Sequence, residues 1–249
     1  MPHYIHVRET ASTNTYLSRL AATLPDATVV YTHHQTAGRG QKGNSWEAEP
    51  GKNITLSLLI KQPNVAVRDQ FLISEAVALA VVDVVDKLGV VATVKWPNDI
   101  YCGDKKLAGI LIEHSLMGNA IGHTIVGLGL NVNQTVFVSD APNPVSLAQL
   151  TGTEHDLDAI MRQLGERITQ LCHFGSDNER QALHNRYLSR LYRNDGCDHS
   201  FALPDGTTFT ATIVDVGRDG MLTLKHSTDG SIHQYAFKQV KHIINNATL

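Results

Sequence analysis

The sequence predicts an α+β chain, with strands and flanking helices over residues 1–193 and a small all-β barrel over 194–249. Three observations carry that expectation. Apolar residues recur at helical spacing in two long segments, 67–88 and 157–171. Between them, the strand-like runs LAGILIEHSL and HTIVGLGLNVN are joined at Asn119-Ala120 with Gly118 and Gly122 nearby, the signal of an antiparallel hairpin. From about Asp195 onward the texture changes: Asp205-Gly206, Asp219-Gly220 and Asp229-Gly230 separate short alternating runs, the pattern of a compact barrel.

The elements follow in order. Ser12 or Thr13 can cap a short helix whose apolar face is Leu17, Leu20, Ala21 and Leu24, ended by Pro25. TVVYTHH reads as a strand entering a glycine loop, and ITLSLLI (54–60), after the turn at Pro50-Gly51, as a second. Ile73, Val77, Ala80, Val81, Val84 and Leu88 make 67–88 a packed helix that Gly89 stops. VVATVKW and the hairpin come next. A helix through Leu157, Ile160, Leu164, Ile168 and Leu171 follows, then one opened by a capping box from Ser176 to Glu179. FTATIVDV, MLTLKH and HQYAFKQV are the expected barrel strands.

Composition bounds the function. With 249 residues and 42% apolar content the chain can bury a substantial core, and 18% charge is too low for a disordered chain. A net charge of −3 gives no global reason to bind nucleic acid or an anionic membrane, so any anion site must concentrate donors locally. Cys102, Cys172 and Cys197 form neither a disulfide framework nor a metal-binding pair, which fits a reducing cytoplasm. The N-terminus has no signal-peptide pattern, and no apolar run reaches the ~18 residues of a membrane span. The 13 histidines show no metal-ligand spacing, and His33 and His34, adjacent in a strand, would face opposite ways. No metal site is expected from the protein side chains.

GRGQKG (38–43) spells a dinucleotide fingerprint, yet no helix can follow it: NSWEAEPGKN carries Pro50-Gly51 and runs into a strand. The P-loop reading fails as well, because Asn44-Ser45 stands where lysine is required. What remains is a loop with Arg39 and Lys42 among glycines. It can wrap an anion with backbone N–H groups and a guanidinium, or it is a surface hairpin with a basic tip. In KWPND (95–99), Pro97 forces Trp96 to be extended and ends or bulges the strand, pinning Lys95 beside a large aromatic. Asn98 and Asp99 suit a ribose hydroxyl or Mg²⁺; a snorkelling lysine over Trp96 is the plainer account. Gly127 and Gly129 in GLGLNVN and Gly109 in KKLAGILIE, which shares a face with Leu111, weaken their strands. A ligand lying flat on the sheet explains them, as does a β-bulge with polar edge residues.

STN (12–14), GRGQKGNSW (38–46), KWPNDI (95–100), KLAGILIE (106–113) and GLGLNVN (127–133) occur in the order seen in biotin protein ligases. The chain closely resembles that family, the biotin–[acetyl-CoA-carboxylase] ligases, over nearly its whole length. The resemblance implies a mixed, largely antiparallel sheet akin to class II aminoacyl-tRNA synthetases, with an SH3-like C-terminal barrel. It implies that Ser12, Thr13 and Asn14 bond the ureido ring of biotin. Gln35, Gly38, Arg39, Gly40 and Gln41 would close over the carboxylate side. Leu111, Gly127 and Gly129 would bed biotin against the sheet. Lys95 and Arg39 would be the catalytic cations on carboxylate and α-phosphate, and Asn44, Trp46 and Asn131 would contact ATP.

Where some relatives carry arginine, this chain has Gln41 and Asn44. The implied reaction is ATP- and Mg²⁺-dependent formation of biotinyl-5′-AMP with release of pyrophosphate. Transfer to a lysine of a biotin carboxyl carrier protein follows. A lipoate–protein ligase of the same fold is the alternative. Because STN begins at residue 12, no N-terminal winged helix and no DNA binding are expected, and an edge strand after GLGLNVN offers a route to a homodimer.

Overall fold

Residues 1–138 and 143–244 of the computed structural model are described, with Lys42 represented by its backbone alone. The first of two sheets contains β1 (His3–His6), β2 (Thr28–Thr32), β3 (Ile54–Lys61), β4 (Thr93–Lys95), β5 (Asp99–Cys102), β6 (Lys105–Met117) and β7 (Ala120–Leu130). Their order is β1-β2-β3-β7-β6-β5-β4. The β1–β2 pair is parallel and every other neighbouring pair antiparallel, the mixed sheet that was expected.

Strand alternation sends two sets of side chains to opposite faces. Val29, Leu56, Leu58, Ile110, Val126 and Leu128 enter the main core. They are covered there by α2 (Phe71–Asp86) and α4 (Leu157–Leu171), with α5 (Asp177–Ser189) packed on α2. Being enclosed by sheet and helices, α2 is apolar nearly all round. Val30, Leu59 and Ile125 point the other way and meet Leu17 and Ala21 of α1 (Thr13–Leu20) and its C-cap. As α1 shields only part of that second face, the rest stays open for a ligand.

Ser12 caps α1 through the Thr15 amide, and Ser176 and Glu179 form the expected capping box on α5. The predicted 67–88 helix is instead a 3₁₀ turn, Val67–Asp69, followed by α2. Pro97 does end β4; the chain reverses there and returns as β5, pairing Lys95 with Asp99. β1, β5 and the five-residue α3 (Leu147–Thr151) are short elements with too little period to announce themselves.

The edge strand expected after GLGLNVN is absent among the described residues. β7 stops at Leu130, inside the sheet, and the edges are β1 and β4. The asparagines divert the chain: Asn131 donates to the Val145 carbonyl (3.1 Å), and Asn133 exchanges hydrogen bonds with the His155 backbone (2.9 Å each).

The second sheet is antiparallel, with β8 (His199–Ala202), β9 (Thr208–Val216), β10 (Leu222–His226), β11 (Ile232–Tyr235) and β12 (Lys241–His242) in the order β11-β10-β9-β8-β12. The three Asp-Gly turns work as read. Asp205, Asp219 and Asp229 each accept the amide two residues on, and the glycine between takes positive φ (89°, 85° and 71°).

Candidate functional site

The open face of the sheet has a floor of small residues. Thr55 and Ser57 on β3 lie opposite Gly129 and Gly127 on β7, which lie opposite Gly109 and Leu111 on β6. All share the parity of Leu59 and Ile125, so alternation turns them toward α1 rather than the main core. Above them opens a cavity of about 690 Å³, large enough for a small organic ligand. Side chains would fill this floor. A Cβ at Gly109 would stand 2.9 Å from the Trp46 ring, one at Gly129 would fall within the indole, and one at Gly127 on the Asn14 amide.

One end of the cavity is polar because α1 begins there. The Thr13 amide donates to Gln35 Oε1 (2.9 Å), and Ser57 Oγ lies 2.8 Å from Thr13 Oγ1 while also contacting Asn14 Oδ1. Asn14 Nδ2 donates to the Leu111 carbonyl (3.3 Å) and to Glu113 Oε2 (2.8 Å). Gln35, expected at the carboxylate side, thus joins Ser12, Thr13 and Asn14 at the same end, because it is bonded to Thr13.

The loop 38–46 folds back on itself through Gly40 N–H to Asn44 O (2.7 Å) and Trp46 N–H to Gly38 O (3.0 Å), with only a 3₁₀ turn at Gln41–Gly43. No helix follows it, in keeping with the rejection of the dinucleotide and P-loop readings. Gly38 does not line the cavity: its Cα packs against the Trp46 backbone and the Gln35 amide. Arg39 Nη2 meets Glu113, and its Nη1 donates to Thr15 Oγ1 (3.0 Å). Gln41 donates to Asn98 Oδ1 (3.2 Å), tying the loop to the KWPND turn. The Lys42 side chain lies outside the described part of the molecule. Trp46 Nε1 and Asn131 Oδ1 are buried beside the cavity with no hydrogen-bond partner among the described residues, a donor and an acceptor suited to a polar ligand.

Lys95 does not belong to this cavity. It sits on edge strand β4 with its ammonium 5.2 Å from the Tyr101 ring centre, lining a separate 210 Å³ cavity with Phe201 and His242. Burial there pushes its pKa below the usual lysine value. Lys106 is the lysine in the main cavity; its Nζ bonds Asp99 Oδ2 (2.7 Å) and lies 5.9 Å from the Trp46 ring centre. Strict alternation from Gly109 would send Lys106 toward the core. A bulge prevents this: β5 pairs Ile100 with Ala108 but Tyr101 with Lys106, leaving Leu107 extra and re-aiming the lysine. The doubled Lys105-Lys106 at a strand start was the available signal.

The cavity therefore gathers Ser12, Thr13, Asn14, Gln35, Arg39, Gly40, Gln41, Asn44, Trp46, Leu111, Gly127, Gly129 and Asn131, together with Pro97, Asn98, Asp99 and Lys106. Among the described residues no three His, Cys, Asp or Glu side chains converge to hold a metal. His33 and His34 reach separate carboxylates, Asp158 (3.7 Å) and Glu9 (2.9 Å). Among the described residues no helix is long and apolar enough to cross a membrane.

Residues 7–131 match the model of the biotin/lipoate A/B protein ligase family. The chain is 31% identical over 198 residues to the biotin--[acetyl-CoA-carboxylase] ligase of Paracoccus denitrificans, covering 74% of this chain and 79% of that one. It is 31% identical over 146 residues to the bifunctional ligase/repressor BirA of Bacillus subtilis, covering 56% of this chain and 44% of the relative. The chain thus spans less than half the length of that Bacillus relative. A biotin protein ligase from Aquifex aeolicus, solved in complex with biotin and ATP, superposes with a TM-score of 0.79 at 21% identity, over 98% of this chain and 99% of that one.

Proposed function

The chain belongs to the biotin/lipoate A/B protein ligase family, and from that premise we propose that it is an ATP-dependent biotin–protein ligase. It activates biotin to biotinyl-5′-AMP with release of pyrophosphate, then transfers biotin to a lysine of a biotin carboxyl carrier domain. One observation carries this reading: a single cavity has a hydrogen-bonding end at α1, a floor punctuated by Gly109, Gly127 and Gly129, and, away from α1, Lys106 with the Trp46 ring.

The polar end favours biotin over lipoate. Thr13, Asn14, Gln35 and Ser57 offer carbonyl, amide and hydroxyl groups that match the N–H and C=O of a cyclic urea. A dithiolane has neither, and offers this polar end no hydrogen-bonding group to engage. The thiophane ring and aliphatic tail then lie along Leu111, between the Asn14 amide over Gly127 and the Trp46 indole over Gly109 and Gly129, directing the carboxylate toward Lys106.

In the first step a carboxylate oxygen attacks the α-phosphorus as the bond to pyrophosphate breaks. Charge grows on the phosphoryl oxygens, and Lys106 replaces Lys95 as the cation placed to meet it, with Asp99 fixing its ammonium. Gln41 and Asn44 offer uncharged donors from the loop, and Asn98 suits the ribose. Trp46 supplies an aromatic face to adenine, and Asn131 an acceptor that has no partner among the described residues. Mg²⁺ would arrive with ATP and neutralise phosphate charge; among the described residues no three His, Cys, Asp or Glu side chains converge to hold it. In the second step a neutral lysine amine of the carrier attacks the acyl carbon, the amide forms and AMP departs. A loop that closes over the mixed anhydride shields it from water.

The reaction is assigned to the cytoplasm, a reading supported by the free thiols of Cys102, Cys172 and Cys197. The test is to supply ATP, Mg²⁺ and either biotin or lipoate, and to follow pyrophosphate release, the acyl-adenylate and labelling of a carrier domain. Biotinyl-AMP and biotinylated carrier are expected. Lipoyl-AMP alone, or no adenylate, overturns the reading.

A further inference from the structure

We propose that Glu113 is the positioning residue that fixes the recognition end of this site, acting through Asn14. The inference rests on the biotin reading and assigns a role to a side chain that stands just behind the cavity wall.

Glu113 shares the β6 face of Gly109 and Leu111 and divides its carboxylate between two partners. Oε2 accepts from Asn14 Nδ2 (2.8 Å), and Oε1 takes the Arg39 guanidinium. Stability does not explain the arrangement: Arg39 and Glu113 side chains are 46% and 38% exposed, and such pairs contribute about 1 kcal/mol or less. What the carboxylate does determine is which way the Asn14 amide points.

Asn14 is buried, and its amide could in principle sit either way round. Its Nδ2 faces the Leu111 carbonyl and the Glu113 carboxylate, both of which only accept. A flipped amide would set Oδ1 against two acceptors, one of them charged. Nδ2 is therefore held outward and Oδ1 inward, where it takes a hydrogen bond from Ser57 and is the atom nearest a Cβ built at Gly127. A carbonyl oxygen accepts twice, so one acceptor position remains facing the cavity above Gly127. That position selects a ligand carrying an N–H, as the cyclic urea does.

Without the charge at residue 113, the Leu111 carbonyl alone disfavours the flip, and the amide samples both orientations. The loss should fall on biotin and not on ATP, which this reading places at the other end of the cavity. The arm through Arg39 ties the loop to the same carboxylate, and a double-substitution cycle separates the two contributions.

The experiment measures KM for biotin and for ATP in biotinyl-AMP formation by the full chain. Glu113→Gln and Glu113→Leu are compared in the wild-type, Asn14→Ala and Arg39→Met backgrounds, with thermal melts confirming folding. Both Glu113 substitutions are expected to raise the biotin KM about tenfold while the ATP KM changes less than twofold. In the Asn14→Ala background the same substitutions should change the biotin KM less than twofold, whereas in Arg39→Met the full effect should persist. An unchanged biotin KM, a parallel rise in the ATP KM, or an effect that survives Asn14→Ala overturns the proposal. Should Glu113→Leu fail to fold, Glu113→Gln alone decides. If the unsubstituted protein forms no biotinyl-AMP, it is the biotin reading that has failed.

Discussion

Lys95, the lysine to which the resemblance pointed, and Lys106, which a bulge turns into the cavity, stand in different surroundings. Lys95 is desolvated under the barrel, whereas Lys106 is held by Asp99 in the cavity. Lys106→Ala should lower the rate of biotinyl-AMP formation by roughly 10²–10³, the cost of removing one transition-state donor. Lys95→Ala should lower it less than tenfold. Single-turnover adenylation assays check both, and a larger loss for Lys95 would reverse the assignment. Gly129→Ala is a second test, since its methyl would occupy the place of the Trp46 indole. The Kd for ATP should rise at least tenfold through displaced Trp46, read by titration of tryptophan fluorescence with ATP. At this scale the glycines were legible because mid-strand glycine weakens a strand and so marks either a bulge or a close approach to the backbone. Lys106 was not, because a bulge is set by cross-strand pairing that the local sequence does not display.

Among the elements, those of two or more helical turns or of clean alternation could be read, and short ones without a period of their own, namely β1, β5, α3, β8 and β12, could not. α4 ran over the residues its period named, and the Asp-Gly turns of the barrel formed as their chemistry requires. β12, two residues long, had no detectable period, yet it carries His242 into the barrel junction. There the imidazole packs against Phe201 and Tyr192, and neither ring nitrogen has a partner among the described residues. Burial first, then the nearby cations Lys95, Arg193 and His199, push its pKa down from an ordinary 6.5 to about 3. The folded pKa is the lower, so the unfolded chain binds the proton more readily. Stability is complete above pH 6.5 and is lost as pH falls toward 3. At about 1.4 kcal/mol per pH unit, His242→Phe should remove roughly 2 kcal/mol of the loss between pH 6.5 and 5. Urea unfolding of both proteins at the two pH values measures it, and equal losses would show that His242 is not the group responsible.

For the molecule as a whole, the change of sequence texture near residue 194 marks a change of architecture but no break in the core. Phe201, Ile213, Val216, Leu222 and Leu224 from the barrel belong to the same buried cluster as the α2 and main-sheet residues. Polar links follow the same seam. Trp96 Nε1 donates to the Gly220 carbonyl (3.0 Å), and His184 bridges Glu75 of α2 (2.8 Å) and Asp215 of β9 (3.4 Å). His184 is held above its usual pKa chiefly by its hydrogen bond to Glu75, while burial raises the Glu75 carboxyl. A chain cut after residue 194 would expose the apolar surface around Phe71 and Trp96 and leave that seam unpaired. It should bind a hydrophobic dye and melt without cooperativity, while the full chain unfolds in a single transition seen alike by calorimetry and near-ultraviolet circular dichroism. Gly220 tests the seam without truncation. Its φ is +85°, and a methyl there would stand 2.8 Å from the Phe71 ring, so Gly220→Ala combines backbone strain with overpacking. A loss of roughly 2–4 kcal/mol is expected in the one transition. A variant in which the barrel melts alone, with the signal of the larger sheet unmoved, would show two independent units and refute the continuous core.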